Sequence, residues 1–242
     1  MRVVETCGCF PTGRHYPGIA HLFKVQVAGL AREFAGDGAW VDYPIAFLDT
    51  ETTGIDARVD RVIEVGLVVG RGGEVTERKS WLVNPGIPIP QAASDVHGIT
   101  DDQVADLPPF ASIVPELLAA LEGCLAAAYN AAFDRGFIFA ELERAGVGFA
   151  SRPPAVRDDV DWIDPLVFAR EIWKGKGESR ALGAVAARLG IALERAHRAT
   201  DDAEAALRVL YAISADPRVP RGYAALIQEQ RRLDQAKPFW RK

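Results

Sequence analysis

In "AFLDTETTG", residues 46–54, an apolar run ends in two acids separated by one threonine. The apolar part, "IAFLD" (45–49), predicts a buried strand. Alternate residues of a strand point to the same side and lie about 7 Å apart, at roughly 3.3 Å per residue. Asp49 and Glu51 can therefore face one point at the end of this strand.

Two carboxylates that face one point repel each other, and a divalent cation between them removes the conflict. Hard oxygen ligands on one side of a strand favour Mg²⁺ or Mn²⁺. The alternative is a solvated strand end, where the two acids only support a turn. Because a D-x-E triplet is common, the choice between the two depends on other segments.

The composition is that of a soluble globular protein, with 242 residues, 49% of them hydrophobic and 25% charged. This length allows one sizeable core with small additions. No apolar run is long enough to cross a bilayer, and the N-terminus lacks a secretory pattern. Cys7, Cys9 and Cys124 are too few for a disulfide framework. We therefore expect a reduced, cytoplasmic protein with no membrane partner.

The charge is unevenly distributed along the chain. The net charge of −5 argues against binding of nucleic acid by bulk positive charge. Residues 218–242 nevertheless contain seven basic residues and only two acids, so the rest of the chain is strongly acidic. An acidic body can still bind a polyanion if metal ions lie among its acids.

Three parts are expected along the chain: an irregular N-terminal extension (1–43), a main domain (44–215) and a basic C-terminal tail (216–242). The extension includes a possible helix over 19–35. Its cysteines and histidines (Cys7, Cys9, His15 and His21) have weak spacing for a zinc site. The tail predicts a helix that either packs Leu226 and Leu233 on the body or binds nucleic acid with Tyr223, Phe239 and Trp240. We favour packing.

The pattern of the main domain predicts an α/β fold, with a mixed β-sheet flanked by helices on both faces. Three consecutive strands with short links indicate an antiparallel meander, and "RGG" (71–73) predicts a tight turn. Helices then alternate with one further short strand. The expected strands are 45–49, 61–70, 76–83 and 124–130, and the expected helices are 112–123, 134–146, 165–173, 179–190 and 201–214.

Two further segments place acids near the ends of predicted elements. In "YNAAFDRGF", Asp134 follows the short strand, where it could hold a metal or only cap the next helix. In "HRATDDAEAAL", His197 precedes Asp202 by five residues. The spacing from Asp201 to Glu204 predicts that Asp201 is the N-cap, which leaves Asp202 on the first helical turn for chemistry.

Together these segments resemble the DEDDh exonucleases of the DnaQ-like superfamily, especially the branch of the polymerase III epsilon proofreading subunit. The loop 83–104, with its "HGIT", and "WIDPLVFAR" (162–170) are similar to that branch. The sister class has a tyrosine where Arg198 stands, so the histidine version fits. Tyr129 and Pro165 depart from the family's usual His and Thr. The family motifs read here as Asp49-Thr50-Glu51, Asn130-Ala131-Ala132-Phe133-Asp134 and His197 to Asp202.

The resemblance implies a ribonuclease H-like fold and 3′-to-5′ hydrolysis with two Mg²⁺ or Mn²⁺ ions. Asp49 would bridge both ions, Glu51 and Asp202 would complete one site, and Asp134 would hold the other ion. His197 would be the general base, a role that suits a pKa near neutrality.

Substrate contacts are expected mainly beside the acids. Thr52, Thr53 and Gly54 could present hydroxyl or backbone groups to the terminal nucleotide. The remaining candidates are His97 near the 3′ end, Phe133 stacking on a base or packing in the core, and Asn130 holding a loop. Single-stranded DNA is the favoured substrate, with a DNA polymerase as a possible partner. The alternatives are a ribonuclease acting on RNA 3′ ends or short oligonucleotides, and an inactive module that docks on a polymerase.

Overall fold

The computed structural model describes residues 28–175, 177–193 and 198–235. Several residues singled out by the sequence lie outside this part of the chain. They are the candidate general base His197, the weak zinc candidates Cys7, Cys9, His15 and His21, and the tail aromatics Phe239 and Trp240.

Four strands form one mixed sheet with the order β3-β2-β1-β4. Strand β1 pairs antiparallel with β2 and parallel with β4, and β2 pairs antiparallel with β3. Gly72 and Gly73 both have positive φ and form the turn between β2 and β3, which confirms the predicted meander. The strands are β1 (Ile45–Thr52), β2 (Val62–Arg71), β3 (Glu74–Leu82) and β4 (Leu125–Ala127).

Eight α-helices lie within the described ranges, and they cover both faces of the sheet. Each predicted helix of the main domain is found, with shifted ends, and two short helices occupy the loop after β3. The helices are α1 (Gln91–His97), α2 (Asp101–Val104), α3 (Phe110–Leu121), α4 (Ala131–Arg144), α5 (Pro165–Ile172), α6 (Leu182–Arg188), α7 (Ala199–Ile213) and α8 (Tyr223–Gln235). None of these helices is long and apolar enough to span a membrane.

Alternation along β1 decides which helices each side chain meets. Ile45 and Phe47 lie in the core cluster built with α5, α6, α7 and α8. Ala46 and Leu48 lie in the opposite cluster, with α3 and α4. This confirms the predicted α/β sheet with helices on both faces. By the same period of two, Asp49 and Glu51 follow Phe47 toward α7, whereas Thr50 follows Leu48 toward α4.

The described part of the N-terminal extension packs on the C-terminal helix. Turns and a bridge from Gly29 to Val160 occupy residues 28–35, so the helix expected over 19–35 is wrong for these residues. Buried Tyr223 accepts a hydrogen bond from the backbone N–H of Ala31 at 3.0 Å. Trp40 is buried in the same cluster as Ile45. The proposed domain boundaries at 43/44 and 215/216 therefore fall between residues that pack in one core. The division into three parts stays a prediction.

Helix α8 packs as expected. Leu226 is buried and Leu233 is partly buried against the core. The neighbouring arginines are paired with acids rather than left for a polyanion, as the ion pairs Arg218–Asp216, Arg231–Asp161 and Arg232–Glu229 show. The described tail residues thus favour the packing alternative over binding of nucleic acid.

Candidate active site

Three acids meet at the end of β1 on the side of α7. Asp49, Glu51 and Asp202 each offer a carboxylate oxygen, and these atoms all lie within 4.8 Å of one another. The first two come from alternate positions of β1, and the third comes from the first turns of α7. The structure therefore brings together residues separated by about 150 positions in the sequence, as the motifs predicted.

Gly66 explains why α7 can approach β1 so closely. It is the cross-strand partner of Asp49 in β2. A methyl group built at Gly66 would overlap the backbone of Ala199 and Thr200, which form the first turn of α7. The absence of a side chain at this position thus allows the helix to start directly on the strand, beside the acids.

The helix α7 starts earlier than the sequence suggested. Its N-cap is Arg198, and the N–H of Asp202 already donates to the carbonyl of Arg198 at 3.0 Å. The prediction that Asp201 is the N-cap is therefore wrong, because Asp201 lies inside the first helical turn. Asp202 remains at the start of the helix, where the positive end of the helix dipole favours a carboxylate.

Asp134 approaches the site from the opposite face of the sheet. It lies in the first turn of α4, after the N-cap Asn130, and is almost fully buried. The backbone N–H and the hydroxyl of Thr50 both donate to its Oδ1 at 2.9 Å. These two bonds tie the side chain to β1 beside the other acids. Asp134 is thus positioned by the sheet, and the N-cap of its helix is Asn130.

A fifth carboxylate, that of Glu64, was missed by the sequence reasoning. It stands opposite Glu51 in the β1–β2 pair and is only 1% exposed. Its Oε1 accepts from Ser80 Oγ at 2.8 Å and from the Arg198 guanidinium at 3.2 Å, whereas Oε2 is buried without a hydrogen-bond partner among the described residues. The available signal was a single acid inside the apolar run "VIEVGLVV".

Burial, together with crowding, favours the neutral forms of Asp49 and Glu51, and burial favours that of Asp134. Burial, followed by the charges of Asp134, Glu51, Asp202 and Glu64, raises the pKa of Asp49 well above its usual range. Burial first, and then Asp202, raises the pKa of Glu51 to about 7, although Arg198 opposes this shift. Burial also raises the pKa of Asp134 to about 7, against the hydrogen bonds from Thr50.

The residues present fit divalent cations. The converging atoms are carboxylate oxygens, which are the ligands that Mg²⁺ and Mn²⁺ prefer. The raised pKa values and the unpartnered buried Oε2 of Glu64 both report a local excess of negative charge. Bound cations would remove this excess and return the acids to their charged forms.

The segment after β1 is held in one conformation. The hydroxyl of Thr52 donates to the carbonyl of Gly54 at 2.6 Å. Thr53 exchanges hydrogen bonds with Arg61, whose guanidinium forms two bonds to buried Glu141 of α4 at 2.6 and 3.0 Å. Thr52, at the end of β1, and the following Thr53 and Gly54 therefore border the acids in a hydrogen-bonded segment, and their contact with a substrate stays a prediction.

The other candidate substrate residues lie in different settings. His97 ends α1, is buried, and accepts the N–H of Ile99 on Nδ1 at 3.0 Å. Phe133 is half-buried and packs on Phe137 with ring centroids 4.9 Å apart, which fits the core alternative. Asn130 has φ 69° and occupies the left-handed region at the start of α4. Contact of these three residues with a substrate stays a prediction.

Comparison with known proteins agrees with the site. The profile of the family described as Exonuclease matches residues 46–210. DNA polymerase III PolC-type of Thermotoga maritima is 31% identical over 192 residues, which are 79% of this chain and 13% of that protein. The Streptococcus suis PolC-type polymerase is 32% identical over 216 residues, 86% of this chain and 14% of that protein. The chain thus spans only about an eighth of these relatives.

Solved exonucleases share the fold. Exonuclease X in complex with 5′ overhanging duplex DNA has a TM-score of 0.56 at 24% identity, over 75% of this chain and 98% of that one. E. coli exonuclease I in complex with a dT13 oligonucleotide has a TM-score of 0.61 at 18% identity, over 72% of this chain and 41% of that one. The fold is therefore ribonuclease H-like, as the motifs implied.

Replacement of Gly66 by alanine should separate α7 from β1. The added methyl group has no room against the backbone of Ala199 and Thr200, so the helix start must move and carry Asp202 away from Asp49 and Glu51. We expect Gly66→Ala to lose Mn²⁺ binding in calorimetry and to unfold about 1–3 kcal/mol more easily. The control is Gly183→Ala in α6, where the nearest atom is 3.9 Å away. Mn²⁺ binding by Gly66→Ala at wild-type affinity would contradict this explanation.

The stability of the metal-free protein should fall as the pH rises. Glu51 has an ordinary pKa of 4.5 when unfolded and about 7 when folded, so between these values the folded state binds more protons. The resulting destabilisation is absent below about pH 4.5 and complete above about pH 7. We expect urea denaturation in EDTA to show Glu51→Gln more stable than wild type at pH 8 and closer to it at pH 5. Exposed Glu143→Gln is the control; an equal effect of Glu51→Gln at both pH values would refute the shift.

Proposed function

The chain belongs to the exonuclease family, and from that premise we propose that it is a metal-dependent 3′–5′ exonuclease acting on single-stranded DNA. It would release nucleotides by hydrolysis of the terminal phosphodiester bond, in proofreading or repair. The observation that carries this proposal is the convergence of the Asp49, Glu51 and Asp202 oxygens within 4.8 Å. A scaffold that only docked on a polymerase would gain nothing from such mutually repelling acids.

The proposed cofactors are two Mg²⁺ or Mn²⁺ ions. Asp49 would be shared between them, Glu51 and Asp202 would complete one site, and Asp134 would hold the second ion. When bound, such ions acidify a water molecule and neutralise the charge that develops on the phosphate. The position of Asp134 on the opposite face from Asp202 supports a division of the acids between two sites.

The chain's own residues would handle the proton and the substrate. His197 would accept the proton of the attacking water, a role that the resemblance to the family implies and that suits an imidazole. The oxygen of this water forms a bond to phosphorus while the bond to the 3′ oxygen of the preceding nucleotide breaks. The loop of Thr52, Thr53 and Gly54 would hold the terminal nucleotide.

The preference for DNA and for a polymerase partner rests on the relatives. Exonuclease X and exonuclease I are solved with DNA, and the most similar curated proteins reported above are PolC-type DNA polymerases. We propose that this chain likewise acts on DNA with a free 3′ end, alone or beside a DNA polymerase.

Digestion of a labelled strand tests the function. We expect 5′-labelled single-stranded DNA to give a ladder that shortens from the 3′ end with Mg²⁺ or Mn²⁺, and no products in EDTA. Asp49→Asn should reduce cleavage to background because it removes the shared ligand, whereas exposed Asp106→Asn should cleave normally. A matched RNA strand tests the sugar preference. Cleavage by Asp49→Asn at the wild-type rate would refute the metal assignment, and immediate release of the label as a 5′ nucleotide would refute the polarity.

Removal of the proposed general base should slow the chemistry without loss of the metals. We expect His197→Ala to lower kcat by roughly 10²–10⁴-fold and to flatten the acid limb of the pH–rate profile. Mn²⁺ affinity measured by calorimetry should stay at the wild-type value, in contrast to Asp49→Asn. An unchanged rate at every pH would exclude His197 from proton transfer.

A further inference from the structure

Helix α8 lies beyond the residues 46–210 that match the family, yet one of its polar side chains is buried against the sheet. Gln230 is 6% exposed. Its Oε1 accepts the backbone N–H of Asp164 at 2.8 Å, and its Nε2 donates to the carbonyl of Trp162 at 2.8 Å. The amide therefore makes one bond of each kind to the same short segment.

The segment that Gln230 binds lies along the edge of the sheet, where Ile163 forms an isolated parallel bridge with Ala127 of β4. Ile163 donates to the carbonyl of Ala126 at 2.9 Å and accepts from the N–H of Ala128 at 3.1 Å. The backbone groups of neighbouring residues in an extended chain point to opposite edges, so those of Trp162 and Asp164 face outward. Gln230 satisfies both groups and thereby takes the place of a further strand.

A second contact fastens α8 to the same segment. Arg231, the next residue, forms an ion pair and a hydrogen bond with Asp161. The N–H of Asp161 in turn donates to the carbonyl of Gly29 at 2.8 Å. Two adjacent residues of α8 thus hold both ends of residues 161–164.

Asp164 connects the segment 161–164, which α8 holds, to the start of α4. Its carboxylate accepts the backbone N–H groups of Asn130 at 3.0 Å, Ala131 at 3.1 Å and Leu166 at 2.9 Å. It therefore caps α5 and also holds the first residues of α4. Asn130 has φ 69°, a conformation that is unfavourable for a residue with a side chain and needs support from its surroundings.

From these contacts we propose that α8 is part of the catalytic unit and that Gln230 is a positioning residue for Asp134. Asp134 lies in the first turn of α4, three residues after Ala131. The hydrogen bonds to Asp164 therefore fix the position of α4 along and around its axis, and with it the position of the Asp134 carboxylate relative to Thr50. The relay runs from Gln230 to Asp164, to the start of α4, and to Asp134. The proposal rests on the proposed function in one respect, the role of Asp134 as a metal ligand.

If the relay holds, loss of the Gln230 amide should weaken metal binding more than a comparable loss of stability elsewhere in the helix does. Loss of groups that orient a ligand typically costs 10–100-fold in metal affinity or activity. Gln230→Met keeps the side-chain volume and removes both hydrogen bonds. The control is Ile227→Val, because Ile227 is a fully buried residue of the same helix with no part in the relay. If Gln230→Met does not fold, Gln230→Glu takes its place: it keeps the acceptor but turns an oxygen toward the carbonyl of Trp162, so the same loss of Mn²⁺ affinity is expected.

Three measurements on the full chain test the proposal: Mn²⁺ calorimetry without DNA, hydrogen exchange of the amides of residues 130–134 in EDTA, and kcat and KM on single-stranded DNA. We expect Gln230→Met to bind Mn²⁺ 10–100-fold more weakly, to exchange faster at Asn130 and Ala131, and to lose kcat with little change in KM. Ile227→Val at a comparable melting temperature should match the wild type in all three.

Two results would overturn the relay. One is wild-type exchange at Asn130 and Ala131 in Gln230→Met, and the other is the same loss of Mn²⁺ affinity in Ile227→Val. Failure of the proposed function is seen separately. A wild-type protein that binds no Mn²⁺ and cleaves no DNA would refute that function. Hydrogen exchange at residues 130–134 would still test the relay.

Discussion

Repulsion among buried carboxylates is the constraint on which the structure depends. Asp49, Glu51, Asp134, Asp202 and Glu64 interact electrostatically at one end of the sheet, and the described cation that contacts this group is Arg198. Each acid alone would be stable in water, whereas burial and the neighbouring carboxylates raise the pKa of Asp49 and Glu51. Their assembly costs free energy of folding, which the surrounding core must offset. Such a cost is expected where the acids serve bound cations.

The alternation of side chains along β1 brings these acids together. Asp49 and Glu51 face α7, and the intervening Thr50 faces α4 and binds Asp134. One strand of eight residues therefore orders acids from both layers of helices. Gly66 completes the arrangement, because only a residue without a side chain lets α7 begin on the strand. The site is consequently a property of the layered fold and not of any one loop.

Local patterns predicted the parts of the structure that depend on local physics. The strand at 45–49, the β2–β3 turn and the acids of the D-x-E motif were recognisable because burial, turn chemistry and spacing act over a few residues. Family resemblance then related Asp134 and Asp202 to that strand. The N-cap prediction for Asp201 failed because packing on Gly66 and Glu64, both remote in sequence, lets the helix begin earlier, at Ala199. The helix expected up to residue 35 failed because Gly29 pairs with Val160 instead.

The contacts that sequence reasoning could not find are those made between distant polar groups. Nothing near Gln230 indicates that its amide completes a sheet edge 66 residues earlier in the chain. Asp164 lies inside "WIDPLVFAR", and its bonds to Asn130 and Ala131 depend on how two helices meet. The family model matches residues 46–210, and the buried amide of Gln230 joins α8 to that region. Buried polar groups of the matched region thus find their partners outside it, in α8.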